Sequence, residues 1–212
     1  MKLQGIKANF LGDSITEGNG ASTKEFTFWN ILKRKFGLGE VRGYGIGGTR
    51  IARKHVPTPE PYGWFDMDFC GRYDQMDNDA DLVVVMGGTN DYGHGDAPLG
   101  EMSDRTPDTF YGALHYLMTG LINKYPKAMI VFMTTPHREE EESRGLKLVD
   151  FVNAVKEVAA YYAIPVLDLY ETSGIQPKVP ILKELYMPDG LHPNDAGYEK
   201  IADRLGNFLL SL

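Results

Sequence analysis

The stretch Leu82-Val83-Val84-Val85-Met86-Gly87-Gly88-Thr89-Asn90-Asp91 joins an unbroken apolar run to a polar block led by two glycines. An apolar run this short, with no alternation of polar and apolar residues, reads as a strand covered on both faces, as in a parallel sheet between layers of helices. Met129-Ile130-Val131-Phe132-Met133 repeats the pattern. Working outward, weaker strand candidates run from Ile6 to Leu11, from Val41 to Ile46 and from Pro165 to Leu169. Apolar stripes at helical spacing lie between them. One comprises Phe110, Leu114, Leu117, Met118 and Leu121, and another Val149, Val152, Val155, Ala159 and Tyr162. A third, Ile201, Leu205, Phe208 and Leu212, closes the chain, and a shorter one falls at Phe28, Ile31, Leu32 and Phe36. Strands alternating with helices predict an α/β fold, a three-layer sandwich around a five-stranded parallel sheet.

A chain of 212 residues, 42% hydrophobic and 24% charged, is expected to form one globular domain over 1–212. Its net charge of −7 comes with no basic stretch able to neutralise a run of phosphates, which argues against a nucleic-acid partner. No apolar run approaches the roughly 18 residues of a membrane span. The first residues, Met1 to Lys7, lack the uninterrupted apolar core of a signal peptide, so the expected location is cytoplasmic. The single cysteine, Cys70, reads as a small, buried or half-buried apolar residue. Five histidines without paired ligand spacing give no metal site.

Two stretches break the rhythm. Arg50 to Ala80 holds Pro57, Pro59 and Pro61 with the aromatics Tyr62, Trp64, Phe65, Phe69 and Tyr73. It is too aromatic for disorder and predicts an ordered excursion with one short helix. Glu139-Glu140-Glu141-Glu142 reads as a solvated loop or helix start.

In an open parallel sheet, ligands bind beyond the carboxyl ends of the strands. A polar block follows each predicted strand: Ser14 the first, Gly47-Gly48 the second, Asn90 the third, and Thr135-Pro136-His137 the fourth. Asp189 and His192 come beyond the fifth, after an excursion from Tyr170 to Pro188. Ser14 sits on a strand-to-helix turn, where free backbone N–H groups favour developing negative charge, and Asp13 beside it is a natural helix cap. Asp189 can fold back onto one imidazole nitrogen of His192, leaving the other for a serine. A serine nucleophile, a histidine base and an orienting carboxylate are what acyl transfer requires. Ser14 and Gly48 offer backbone N–H groups, and Asn90 a side-chain amide, for an oxyanion. Asp13, Trp64 and His137 are candidate substrate contacts; His94 reads as a loop residue.

The blocks Gly12-Asp13-Ser14-Ile15-Thr16, Gly47-Gly48-Thr49, Gly87-Gly88-Thr89-Asn90-Asp91 and Asp189-Gly190-Leu191-His192-Pro193, in that order, resemble the SGNH hydrolases, the GDSL-type esterases and lipases. The resemblance implies a flavodoxin-like α/β/α fold, a catalytic set of Ser14, Asp189 and His192, an oxyanion hole of Ser14, Gly48 and Asn90, and no cofactor. One departure is visible: many members carry asparagine at the head of the glycine block, where this chain has Gly43. The expected substrate is a small-molecule carboxylic ester with a small acyl or acetyl group, acetylated carbohydrate included. Lysophospholipase, thioesterase or acyltransferase activity, or ligand binding without catalysis, are the alternatives, and the sequence leaves the oligomeric state open.

Overall fold

The computed structural model describes residues 1–212. In chain order, β1 (Lys7–Gly12) leads into the one-turn helix α1 (Ser14–Glu17), then α2 (Phe28–Phe36) and β2 (Glu40–Gly45). After the aromatic excursion come β3 (Leu82–Met86), α3 (Thr89–His94), α4 (Phe110–Lys124) and β4 (Met129–Met133). A small antiparallel hairpin, β5 (Glu142–Ser143) and β6 (Leu146–Lys147), precedes α5 (Leu148–Tyr161). The chain closes with β7 (Val166–Leu167), α6 (Leu169–Thr172), α7 (Pro180–Tyr186) and α8 (Asp195–Ser211).

Five strands form one parallel sheet in the order β2-β1-β3-β4-β7. This is the flavodoxin-like order, with the direction of winding reversing at β1 and β3. The register sets Gly12 beside both Gly45 and Met86, and Met86 beside Met133, so the strand ends lie level along one edge.

The missing alternation in β3 has a direct cause. Leu82, Val84 and Met86 face a core built with α2 and α8, while Val83 and Val85 face another built with α4 and α5. All five side chains are buried, and each fully buried residue of this kind contributes about 1.5–3 kcal/mol. The edge strand β2 is only half-buried, which explains its faint pattern. At the position where the glycine block departs from the family, a Cβ on Gly43 would lie 2.6 Å from the Trp29 ring. Trp29 fills that space and donates its Nε1–H to the Thr16 carbonyl at 2.9 Å, tying α2 to the end of α1.

Three features differ from the sequence reading. The excursion from Arg50 to Ala80 holds two 3₁₀ turns, Gly63–Asp66 and Tyr73–Gln75, rather than one short helix. The stretch after β7 is helical at α7, with Pro180 at its start, where a missing N–H costs nothing. The acidic run is not uniformly solvated. Glu141 is buried, with Lys178 Nζ at 2.7 Å and His137 Nδ1 at 2.5 Å as partners, and these contacts compensate its desolvation.

Two buried ionisable residues fix the edge on which the polar blocks lie. Arg72 donates to the carbonyls of Gly12 and Tyr44 at 2.6 Å each and of Met67 at 3.0 Å, clamping the aromatic excursion onto the ends of β1 and β2. Asp13 caps α1, accepting from the Ile15 N–H at 3.0 Å. Burial pushes its carboxyl up from 3.8 to about 7, against the lowering effect of that amide; nearby Asp91 adds to the rise.

The folded chain therefore keeps a proton on Asp13 that the unfolded chain releases above its ordinary pKa, so this group's contribution to stability falls between about pH 4 and 7 and is constant above. Asparagine caps as well as aspartate and carries no such penalty. Asp13→Asn should gain on the wild-type protein across that window, by as much as roughly 4 kcal/mol at pH 8. Denaturant unfolding of both proteins at several pH values checks this, and a stability difference independent of pH would show that Asp13 is ionised in the fold.

Candidate active site

Ser14 opens α1 immediately beyond β1, and His192 lies in the turn ahead of α8. The two meet, with Ser14 Oγ 3.1 Å from His192 Nε2. On the other side of the ring, Nδ1 lies 2.7 Å from Asp189 Oδ2. Asp189 is itself fixed, since its Oδ1 accepts from the backbone N–H groups of Leu191 at 2.8 Å and His192 at 2.7 Å. Burial by itself would raise the Asp189 carboxyl, but the His192 amide, the imidazole and the Leu191 amide outweigh it and hold the group below its ordinary 3.8. An ionised Asp189 can only accept from Nδ1, so in the neutral imidazole Nε2 is the nitrogen left bare toward the serine.

The seam that makes this meeting possible joins the loop after α1 to the start of α8. Ser22 donates its backbone N–H and its hydroxyl to the Asp195 carboxylate at 2.8 and 2.7 Å. The Tyr198 hydroxyl donates to the Asn19 carbonyl at 2.7 Å.

Ser14, Gly48 and Asn90 line one cleft, and each has an N–H to offer. As the first residue of α1, Ser14 has a backbone N–H with no partner in the helix. The Gly48 N–H makes no internal hydrogen bond. Gly48 has φ of +75°, and a Cβ there would lie 2.3 Å from the Phe65 ring, so both the turn and the approach of the aromatic wall require glycine. Asn90 spends one amide hydrogen on the Thr49 carbonyl at 2.9 Å and has a second to offer. Glu17, one turn after Ser14, accepts from the Gly47 N–H at 2.9 Å and so steadies the same loop. Behind it, Asp91 accepts from the N–H groups of Ile51 at 3.0 Å and Ala52 at 2.8 Å. Burial raises the Asp91 carboxyl from 3.8 to about 6 despite these two amides.

Ser14, Gly48, Asn90, Trp64 and His192 all border one open cleft of about 590 Å³. Asp189 stands behind His192 and does not border it. Neither Asp13 nor His137 reaches the cleft. Asp13 is turned into the interior as a cap, and His137 is taken by Glu141 and by the Tyr170 ring, 3.8 Å away between centroids. Seven further residues border it, among them Glu17, Asn19, Phe65 and His94. Glu17 was accessible from its helical spacing to Ser14; His94 gave no local signal. Burial and the neighbouring Arg50 guanidinium depress the His94 imidazole from 6.5 to about 4. No group of three or more His, Cys, Asp or Glu side chains is arranged to hold a metal ion, and no helix is long and apolar enough to cross a membrane.

Residues 10–200 match the model of the GDSL-like Lipase/Acylhydrolase family. The GDSL lipase Rv0518 of Mycobacterium tuberculosis is 29% identical over 204 residues, covering 92% of this chain and 78% of that protein. A crystal structure of a Lactobacillus plantarum protein superposes with a TM-score of 0.85 at 32% identity, covering 98% of both chains. The structure of a possible lipase from Chitinophaga pinensis shares the fold at a TM-score of 0.73 and 23% identity, covering 97% of this chain and 98% of its own. With its family match extending from β1 into α8, the chain belongs to the GDSL-like lipase/acylhydrolase family.

Proposed function

We propose that the protein is a serine hydrolase that cleaves small-acyl carboxylic esters through an acyl-enzyme on Ser14. The observation that carries this reading is the unbroken relay from Ser14 Oγ to His192 Nε2 and from His192 Nδ1 to Asp189. Ser14 Oγ attacks the ester carbonyl while His192 Nε2 takes its proton, and negative charge moves onto the carbonyl oxygen. The N–H groups of Ser14, Gly48 and Asn90 receive that charge. His192 then protonates the departing alkoxide, and the acyl group stays on Ser14. Water, deprotonated by the same nitrogen, attacks the acyl-enzyme and restores the serine. Asp189 compensates the imidazolium at both proton transfers.

The form of the cleft supports a short acyl group on a polar alcohol. Only four of its twelve bordering residues are hydrophobic, and the polar side chains of Glu17, Asn19, Asn90 and His94 line it beside them. On one side Tyr62, Trp64 and Phe65 form a cluster with ring centroids 5.4 to 5.8 Å apart, and Trp64 is 44% exposed. A partly exposed aromatic face beside polar donors suits a sugar ring, as in an acetylated carbohydrate.

A fluorophosphonate should label Ser14 stoichiometrically, with no label in Ser14→Ala and strongly reduced label in His192→Ala. Mass spectrometry of the intact protein reads this directly, and a folded wild-type protein that never labels removes the acyl-enzyme. Asn90→Ala should lower kcat on p-nitrophenyl acetate by about 100- to 1000-fold, the usual loss of one oxyanion donor. Across p-nitrophenyl esters, kcat/KM should fall from acetate to octanoate; a maximum at octanoate or beyond would discard the small-acyl assignment.

A further inference from the structure

The excursion that builds the aromatic wall is organised around Arg50, whose side chain is 1% exposed. Its Nη2 donates to the Phe65 carbonyl at 2.7 Å and to Asp66 Oδ1 at 3.1 Å. Asp66 in turn accepts from the backbone N–H and the hydroxyl of Thr58 at 2.7 and 2.6 Å, closing the loop on itself. The remaining terminal nitrogen, Nη1, faces His94 Nδ1 at 3.3 Å.

That last contact settles the state of the histidine. A guanidinium has only hydrogens to offer and does not lose its charge in a protein, so His94 Nδ1 must accept. An imidazole that accepts at Nδ1 is neutral and carries its hydrogen on Nε2. The surroundings agree, because partial burial first, and then the charges of Arg50, Lys54 and Arg138, disfavour a protonated ring, and the imidazole is depressed to about 4. One face of the ring lies against Phe65, with centroids 5.5 Å apart and planes tilted by 32°. His94 is nevertheless exposed and borders the cleft. With Nδ1 taken by a buried partner, Nε2 is the ring nitrogen left for a ligand in the cleft. A fixed, uncharged N–H donor thus lies among Phe65, Trp64, Gly48 and Asn90, a role that the relay and the oxyanion donors do not use.

We propose that His94, locked by Arg50 as the Nε2–H tautomer, is a specificity-determining residue that donates to a hydroxyl or ring oxygen of the substrate's alcohol portion and so favours acylated carbohydrates over apolar esters. This rests on the serine-esterase reading above. The donor has no acceptor to meet on an alkyl or aryl alcohol, whereas a sugar presents acceptor oxygens around a ring that can lie on Trp64. Glu17 and Asn19, which also border the cleft, provide the complementary acceptors for sugar hydroxyl hydrogens.

The test compares kcat/KM on a monoacetylated methyl xyloside with kcat/KM on p-nitrophenyl acetate. His94→Phe keeps the ring against Phe65 and removes the donor, and the xyloside-to-aryl ratio should fall roughly 3- to 10-fold, mainly through KM. His94→Gln, which places an amide N–H near the position of Nε2, should restore most of the ratio. In the wild-type protein, ¹⁵N spectra of the imidazoles should show one ring protonated on Nε2 and bare on Nδ1 at pH 6 as at pH 8. A ratio unchanged in His94→Phe, or lost equally in His94→Gln, overturns the assignment, as does an Nδ1–H or doubly protonated ring. A wild-type protein that fails to react with the fluorophosphonate overturns the esterase reading and this one with it. One that reacts and turns over aryl acetate, but whose ratio ignores residue 94, overturns this one alone.

Discussion

Ser14 and His192 stand 178 positions apart in the chain and touch because the loop after α1 is fastened to the first turn of α8. Ser22 on Asp195 and Tyr198 on Asn19 make that fastening. The sheet creates the opportunity: parallel strands with level ends deliver each following loop to one edge. The seam converts proximity into contact, since a shift of 1 Å there would break a serine–histidine hydrogen bond of 3.1 Å. Asp189 then acts within a single turn, holding two backbone amides and the imidazole at once, so the orientation of the base is local once α8 is in place.

The edge beneath the cleft is built from buried ionisable side chains used as backbone partners. Arg72 adds donors to the carbonyls of Gly12 and Tyr44 at the ends of β1 and β2. Asp91 satisfies two amides of the loop after Gly48, and Asp13 an amide at the start of α1. Loops that turn sharply at strand ends leave polar backbone groups without partners, and burying these unpaired costs more than importing a side chain to meet them. The cost of the import appears in the two acids, whose carboxyls burial raises to about 7 and about 6.

The parts legible in the sequence are those whose physics is local or periodic. The runs at Leu82–Met86 and Met129–Met133 end where β3 and β4 end, because burial on both faces leaves no room for a polar residue. The longest helices announced themselves by their stripes. The hairpin of β5 and β6 is too short to have a period; its turn, with Arg144 and Gly145 both at positive φ, is held by Arg144 donating to the carbonyls of Tyr92 and Gly95. The polar blocks after successive strands pointed to one edge, and Ser14, Gly48, Asn90 and His192 do border one cleft there. Asp13 and His137 show the limit of such reasoning, since their positions in sequence are right but their side chains are committed elsewhere. His94 shows the reverse: its state is set by Arg50, 44 residues away, and no spacing rule connects the two.

The aromatic wall and the oxyanion loop form one mechanical unit. Residues 48 to 52 run as a short spine between them. Gly48 lies directly under the Phe65 ring, Asn90 holds Thr49, Arg50 holds Phe65 and His94, and Asp91 holds Ile51 and Ala52. Close packing transmits displacement, so the Phe65 ring cannot move toward the spine without moving the Gly48 N–H, and α3 carries Asn90, Asp91 and His94 together. The surface that would receive the alcohol portion of an ester is therefore rigidly referenced to the donors that would receive its carbonyl oxygen. Such coupling favours substrates that fill both at once, because only they are held with the carbonyl carbon in line with Ser14 Oγ. An ester without a ring to lie on Trp64 would meet the same nucleophile and the same donors, but from many orientations, few of them productive.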